Sequence, residues 1–88
     1  MTLKRWQTLS SRDQIGHIGS EIKRGQLIEN KNEKLYLSII ERVINLVDLS
    51  LNDPKWKDNP LPLLVLRNEL AKIYIGQSHD LEKLYKSL

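Results

Sequence analysis

The chain has 88 residues, 40% hydrophobic and 28% charged, with 14 Lys/Arg, 11 Asp/Glu and no Cys. That composition excludes global disorder, and freedom from Cys excludes disulfides, thiolate nucleophiles and Cys-ligated zinc. The net charge of +3 is uneven, with seven Lys/Arg and four Asp/Glu in positions 1–34 and seven of each in positions 35–88, but acids interleave with the bases and no clustered basic face emerges.

The opening Met1-Thr-Leu-Lys-Arg-Trp-Gln7 carries bases without an apolar run behind them, so it does not read as a secretory signal. No stretch approaches the roughly 18 apolar residues of a membrane span. The expectation is a soluble, cytoplasmic chain forming one domain over residues 1–88. At this size folding buries only somewhat more than about 60% of the surface of the unfolded chain, which makes self-association a natural supplement.

The first predicted helix begins after Ser11, which is placed to cap the first turn while Gln14 reaches back as its capping-box partner. Ile15, Ile18 and Ile22 form a thin apolar stripe with Gly19 beside them. Gly25 either continues that line or ends the helix, since Leu27 and Ile28 fall off it. The glycines cost about 1 kcal/mol each relative to Ala, a loss that close approach of another helix would offset.

After the polar connection Asn30-Lys-Asn32, a second helix is predicted to about Leu51. Its polar residues Ser38, Glu41, Asn45, Asp48 and Asn52 recur at spacings of three and four and form one narrow strip, flanked by Arg42. The remaining arc of roughly 200° is apolar. It carries Leu35, Tyr36, Leu37, Ile39, Ile40, Val43, Ile44, Leu46, Val47 and Leu51. A helix this apolar has to be covered on at least two sides, which makes it the centre of the fold.

Residues 52–60 contain two prolines and several Asn/Asp and read as the one substantial loop. Asn59 is placed to cap a third helix, with Pro60 at its first position and Pro62 in its first turn. That helix runs to about Ile75 and stops at Gly76 as a left-handed cap. Ser78 can then cap a short fourth helix bearing Leu81, Leu84, Tyr85 and Leu88. Short connections favour antiparallel neighbours, so the predicted architecture is an all-α, up-down bundle of three main helices plus a short C-terminal fourth.

Arg67 lies between the two halves of the third helix's apolar arc. It has to snorkel outward or meet a carboxylate, for which Glu21, Glu41 and Asp48 are candidates. A salt bridge that fixes register is the plainer reading, and bidentate capture of a partner's carboxylate or phosphate is the sharper one. Trp56, between Lys55 and Lys57, is either a lid on the bundle end or an exposed anchor in a protein interface. Trp6 invites the same two readings.

His17 and Glu21 stand one helical turn apart, but two ligands do not make a metal site, and the Glu-x-x-His spacing of di-iron bundles is absent. Arg12-Asp-Gln-Ile-Gly-His17 has the Arg-x4-His spacing of helical ribonucleases of the HEPN class. Here, however, it opens the first helix, whereas in that class it lies late in the bundle. No phosphate loop, nucleophile elbow or metal-ligand cluster is present in the sequence, and no cofactor is implied.

The order Trp6, His17-Ile-Gly-Ser-Glu-Ile22, Glu41-Arg42, Leu46-Val-Asp-Leu49, Asp53-Pro-Lys-Trp56 and Leu66-Arg67-Asn-Glu69 resembles a set of small bacterial all-helical proteins of unknown function. The resemblance implies no activity. It draws attention to Glu21, Arg42, Asp48, Trp56, Arg67 and Glu69 as a polar cluster near one face. The leading expectation is therefore a non-enzymatic protein-interaction module that self-associates as a dimer through apolar surface left on the second and third helices. The alternatives are a small enzyme using His17 with Glu21 or Arg12, and a weak nucleic-acid binder using Lys4, Arg5, Arg12, Lys23, Arg24, Lys31 and Lys34.

Overall fold

The computed structural model of the chain describes residues 2–77 and 80–88. Among the described residues there are helices only: α1 (Leu3–Gln7), α2 (Ser11–Ile28), α3 (Glu33–Leu51), a 3-10 turn (Pro54–Trp56), α4 (Leu61–Tyr74) and α5 (Leu81–Lys86). None of them is long and apolar enough to cross a membrane. α3 packs against α1, α2, α4 and the 3-10 turn, while α5 lies on α2 and α4. Contacts run in opposite senses along neighbours. Glu21 meets Arg42 and Gly25 faces Ile39, while Glu41 meets Tyr74 and Asp48 meets Arg67.

α3 matches its predicted limits. Asn32 caps it by accepting the Leu35 N–H at 3.0 Å. Its polar strip faces outward, and Tyr36, Ile39, Ile40, Val43, Leu46, Val47 and Ser50 are buried. Of the apolar residues predicted to need cover, only Leu35 is exposed, at 43%. The expectation of much leftover apolar surface on this helix is thus corrected: one copy of the chain wraps most of it. α2 and α4 supply most of that cover, and α1, which periodicity did not reveal, adds to it at one end. The Trp6 of α1 is fully buried and extends the core over the end of α3.

α2 starts one residue earlier than predicted. Ser10, not Ser11, is the cap and accepts the Asp13 N–H at 3.1 Å. Gln14 does not close a capping box, because its side chain turns into the core. Ile18, Gly19, Ile22 and Gly25 are buried, and the helix continues past Gly25 to Ile28. A Cβ on Gly25 would sit 3.2 Å from Leu81 Cδ2 and 3.5 Å from the Ile39 side chain. The missing side chain is what lets α5 and α3 approach α2 so closely.

α4 also differs at its start. Pro60 occupies the cap position with no side-chain hydrogen bond, and Pro62 lies in the first turn. Asn59 instead closes the preceding turn, its N–H donating to the Trp56 carbonyl at 3.2 Å. The C-terminal end follows the expectation. Gly76 has φ +83°, its N–H donates to the Ile73 carbonyl at 3.1 Å, and the Gln77 N–H donates to Lys72 at 2.8 Å. That double closure is a Schellman motif. The predicted cap Ser78 lies outside the described residues. Asp80 caps α5 by accepting the Lys83 N–H at 3.1 Å.

Candidate functional site

Four segments converge where α3 ends. Ser50 lies off the polar strip of α3, on its buried side. Its Oγ accepts the Trp6 indole N–H at 2.8 Å, and its hydroxyl donates to the Leu46 carbonyl at 3.0 Å. Gln14, fully buried on α2, donates through Nε2 to the Trp6 carbonyl at 3.1 Å and to Asp53 Oδ2 at 2.8 Å. Its Oε1 accepts the Trp56 indole N–H at 2.6 Å. The half-buried Trp56 is therefore part of the seal on this end, as the lid reading had it.

Asp53 completes the cluster at 2% exposure. Its Oδ1 accepts the Lys55 backbone N–H at 3.0 Å and its Oδ2 meets the Lys55 ammonium, also at 3.0 Å. Burial pushes this carboxyl up, but the hydrogen bonds from Lys55 and Gln14 and the Lys55 charge outweigh it. The pKa settles below the ordinary carboxylate value. Both oxygens of an ionised carboxylate are engaged by donors of the chain itself, so the arrangement works as a clamp joining α1, α2, α3 and the loop. An unsatisfied member would be costly in this setting, and Gln14 uses both its amide oxygen and its amide nitrogen.

The residues expected to form one polar cluster are divided by the structure into separate pairs. Glu21 meets Arg42 at 3.2 Å and Arg24 at 3.6 Å on the α2–α3 seam. Arg67 grips Asp48 on the α3–α4 seam, through Nε at 2.6 Å and a second nitrogen at 3.3 Å. Of its three candidate carboxylates, Asp48 is the one it meets. Arg42 and Asp48 lie on opposite flanks of the α3 strip, and Tyr74 donates to Glu41 on the Arg67 side. Glu69 pairs with Lys72 on α4 at 3.3 Å. These pairs are substantially exposed, and salt screens such pairs.

His17 is exposed. Its ring stands edge-on to Trp6 with centroids 5.8 Å apart, in a shallow depression shared with Leu9, Arg12, Asp13, Gly16 and Ser20. Glu21 is turned to Arg24 and Arg42 instead. Among the described residues no group of three or more His, Asp or Glu could hold a metal ion. Lys4, Arg5, Arg12, Lys23, Arg24, Lys31 and Lys34 are all exposed, with Arg24 against Glu21 and Lys23 over the Tyr85 ring at 5.4 Å.

Apolar exposure is concentrated on α4. Leu61 is 64% exposed, Leu64 47%, Val65 54% and, just past the helix end, Ile75 65%. They lie on the side opposite the buried Leu63, Leu66, Leu70 and Ile73. A helix apolar on both sides is normally covered on both. Beside it, a groove of about 370 Å³ between α2, α4 and α5 is lined by Ile15, Trp56, Val65, Leu84 and Leu88 among others.

Comparison with family models, with characterised proteins and with solved structures gives no match. The functional reading therefore rests on this chain's own surfaces.

Sequence reasoning missed Gln14, Ser50 and Asp53 as a unit. A usable signal was present for the first two. Gln14 falls on the line of Ile18 and Ile22, and Ser50 falls inside the apolar arc of α3, and a polar residue on a buried line needs a partner.

Proposed function

We propose that the chain is a small non-enzymatic protein-interaction module that self-associates as a dimer. The observation that carries this reading is the outward apolar side of α4, with Leu61, Leu64, Val65 and Ile75 all about half exposed or more. Contiguous apolar patches beyond a few hundred Å², roughly, are unusual on monomers and tend to mark interfaces. The reading takes α2, α3 and α4 as an up-down bundle closed on one side by α5, and a cytoplasmic setting, with which a chain free of Cys is compatible.

The location of the surface differs from the sequence expectation, which divided it between the two central helices. α3 is covered within one copy, so the proposal places the interface on α4. Light scattering across a wide concentration range tests it. A mass that rises towards twice that of the chain supports the reading, and a strict monomer at high micromolar concentration overturns it.

A further inference from the structure

We infer that the turn between α2 and α3 is a binding site for a small aliphatic amine in its ammonium form, held by the carboxylates of Glu29 and Glu33 and the phenol oxygen of Tyr36. The site is remote from the exposed side of α4 and does not depend on self-association. Glu29, at the C-terminal cap of α2, and Glu33, in the first turn of α3, line a hollow of about 380 Å³ together with Asn30, Lys31, Asn32 and Tyr36. Tyr36 is 7% exposed, and its hydroxyl is buried with no hydrogen-bond partner among the described residues. Gln26 Oε1, in the last turn of α2, is the other such atom, so both belong to the helix ends that this turn joins. Buried polar atoms are normally paired, and an unpaired one in the wall of a hollow marks a place for a ligand.

This corner of the fold is short of donors. Asn32 Oδ1 is spent on the Leu35 N–H at 3.0 Å, but Glu29 and Glu33 make no ion pair among the described residues, and the exposed Lys31 between them joins neither. An ammonium supplies three N–H donors and one positive charge, which is what two carboxylates and a phenol oxygen lack. Burial, followed by the charge of Glu29, keeps the phenol protonated at neutral pH, so it meets the ammonium as a neutral acceptor. Glu29 is half-buried and its side chain is held by no hydrogen bond or ion pair among the described residues, which leaves it free to turn as the nitrogen reaches the phenol. A bare metal ion fits less well. Among the described residues no group of three or more His, Asp or Glu could hold one, and the volume of the hollow falls in the range of organic ligand sites.

The chain as a whole carries +3, so no long-range field draws a cation here and the local contacts alone hold it. Glu33 is exposed and its share is screened, so a dissociation constant on the order of 1 mM is expected.

Putrescine, an aliphatic diamine, is the probe, titrated into the full chain and followed by amide chemical shifts. Saturable shifts centred on residues 29–36 are expected. Tyr36→Phe, which keeps the ring and removes the hydroxyl, should weaken binding about tenfold. Glu29→Gln and Glu33→Gln should each weaken it several-fold, while Glu69→Gln, whose carboxylate pairs with Lys72 on α4, should leave it unchanged. Tetramethylammonium carries charge without an N–H and should not bind. Circular dichroism checks that each variant keeps its fold. Putrescine that does not saturate, a tetramethylammonium response equal to that of putrescine, or unchanged affinity in folded Tyr36→Phe overturns the assignment. Saturation of the same residues by Ca²⁺ in the absence of amine also overturns it, in favour of a metal.

Discussion

Gln14 and Asp53, 39 positions apart, meet through a 2.8 Å hydrogen bond in a fully buried site. The same amide also donates to the Trp6 carbonyl and accepts the Trp56 indole N–H. One side chain thus joins α1, α2 and the loop before α4. Gln14→Ala removes all three bonds, leaving the Trp56 indole N–H without its acceptor and Asp53 Oδ2 with Lys55 alone. The expected loss is about 2–4 kcal/mol, to be read by urea unfolding with tryptophan fluorescence. Gln14→Glu should cost at least as much, because it places a second carboxylate against Asp53.

Acid should loosen the same clamp. The Asp53 pKa is lowered in the folded chain, chiefly by Lys55 and Gln14 acting against burial. Its contribution to stability is therefore present above the unfolded carboxylate value of about 3.9 and is lost as pH falls through the lower folded value. Unfolding curves collected from neutral to strongly acidic pH should steepen in their loss of stability below about pH 4. Other carboxylates also titrate there, so the diagnostic quantity is the difference from Asp53→Asn. The variant should be less stable at neutral pH, and the gap should narrow in acid.

The two glycines that carry structural demands should respond oppositely to size. Gly76→Ala forces a Cβ into a backbone at φ +83° and should cost about 1 kcal/mol. At Gly25 the α-helical backbone suits any residue, and the neighbour at 3.2 Å is the flexible end of Leu81. Gly25→Ala should be close to neutral, its gain in helix propensity offsetting the contact. Gly25→Val should displace α5, visible as faster amide exchange in residues 81–86 while α3 stays protected.

The contrast between these sites and the rest of the fold shows what a sequence exposes. The limits of α3, its polar strip, the Gly76 stop and the burial of Ile18 and Ile22 follow from local periodicity and backbone preference, and both are written in consecutive residues. α1 is too short for a period to register and is held by one tryptophan in the core. Ser10 and Ser11 are adjacent residues with equal capping chemistry, so only the fold separates them. Arg67 could be expected to meet a carboxylate, but choosing Asp48 over Glu21 and Glu41 needs the α3–α4 register. Gln14 with Asp53 is a pairing across the whole hairpin, and no local rule brings those two positions together.

The Arg67–Asp48 pair gives a test of structure against recognition. Both side chains are nearly half exposed and already joined by two hydrogen bonds. Arg67→Ala should therefore change folding stability little, and the difference should shrink further in high salt. A large, salt-insensitive loss of stability would make the pair structurally essential. Unchanged folding with altered self-association would extend the α4 interface to the α3–α4 seam.

Tyr36 carries the opposite pH signature to Asp53. Burial, followed by the nearby charge of Glu29, pushes its phenol up to about 12, and its hydroxyl is buried without a hydrogen-bond partner among the described residues. A raised value means that the folded chain favours the protonated phenol. The stability involved is present below the unfolded value of about 10 and is lost as pH rises towards the folded value of about 12. Tyr36→Phe removes the ionising group together with a buried polar atom that makes no bond. The variant should be as stable as the wild type or more so by about 1 kcal/mol at neutral pH. At alkaline pH its advantage should widen, and ultraviolet titration should show the highest-pH phenol step gone. A Tyr36→Phe chain that is clearly less stable at neutral pH would mean that this hydroxyl is bonded in solution.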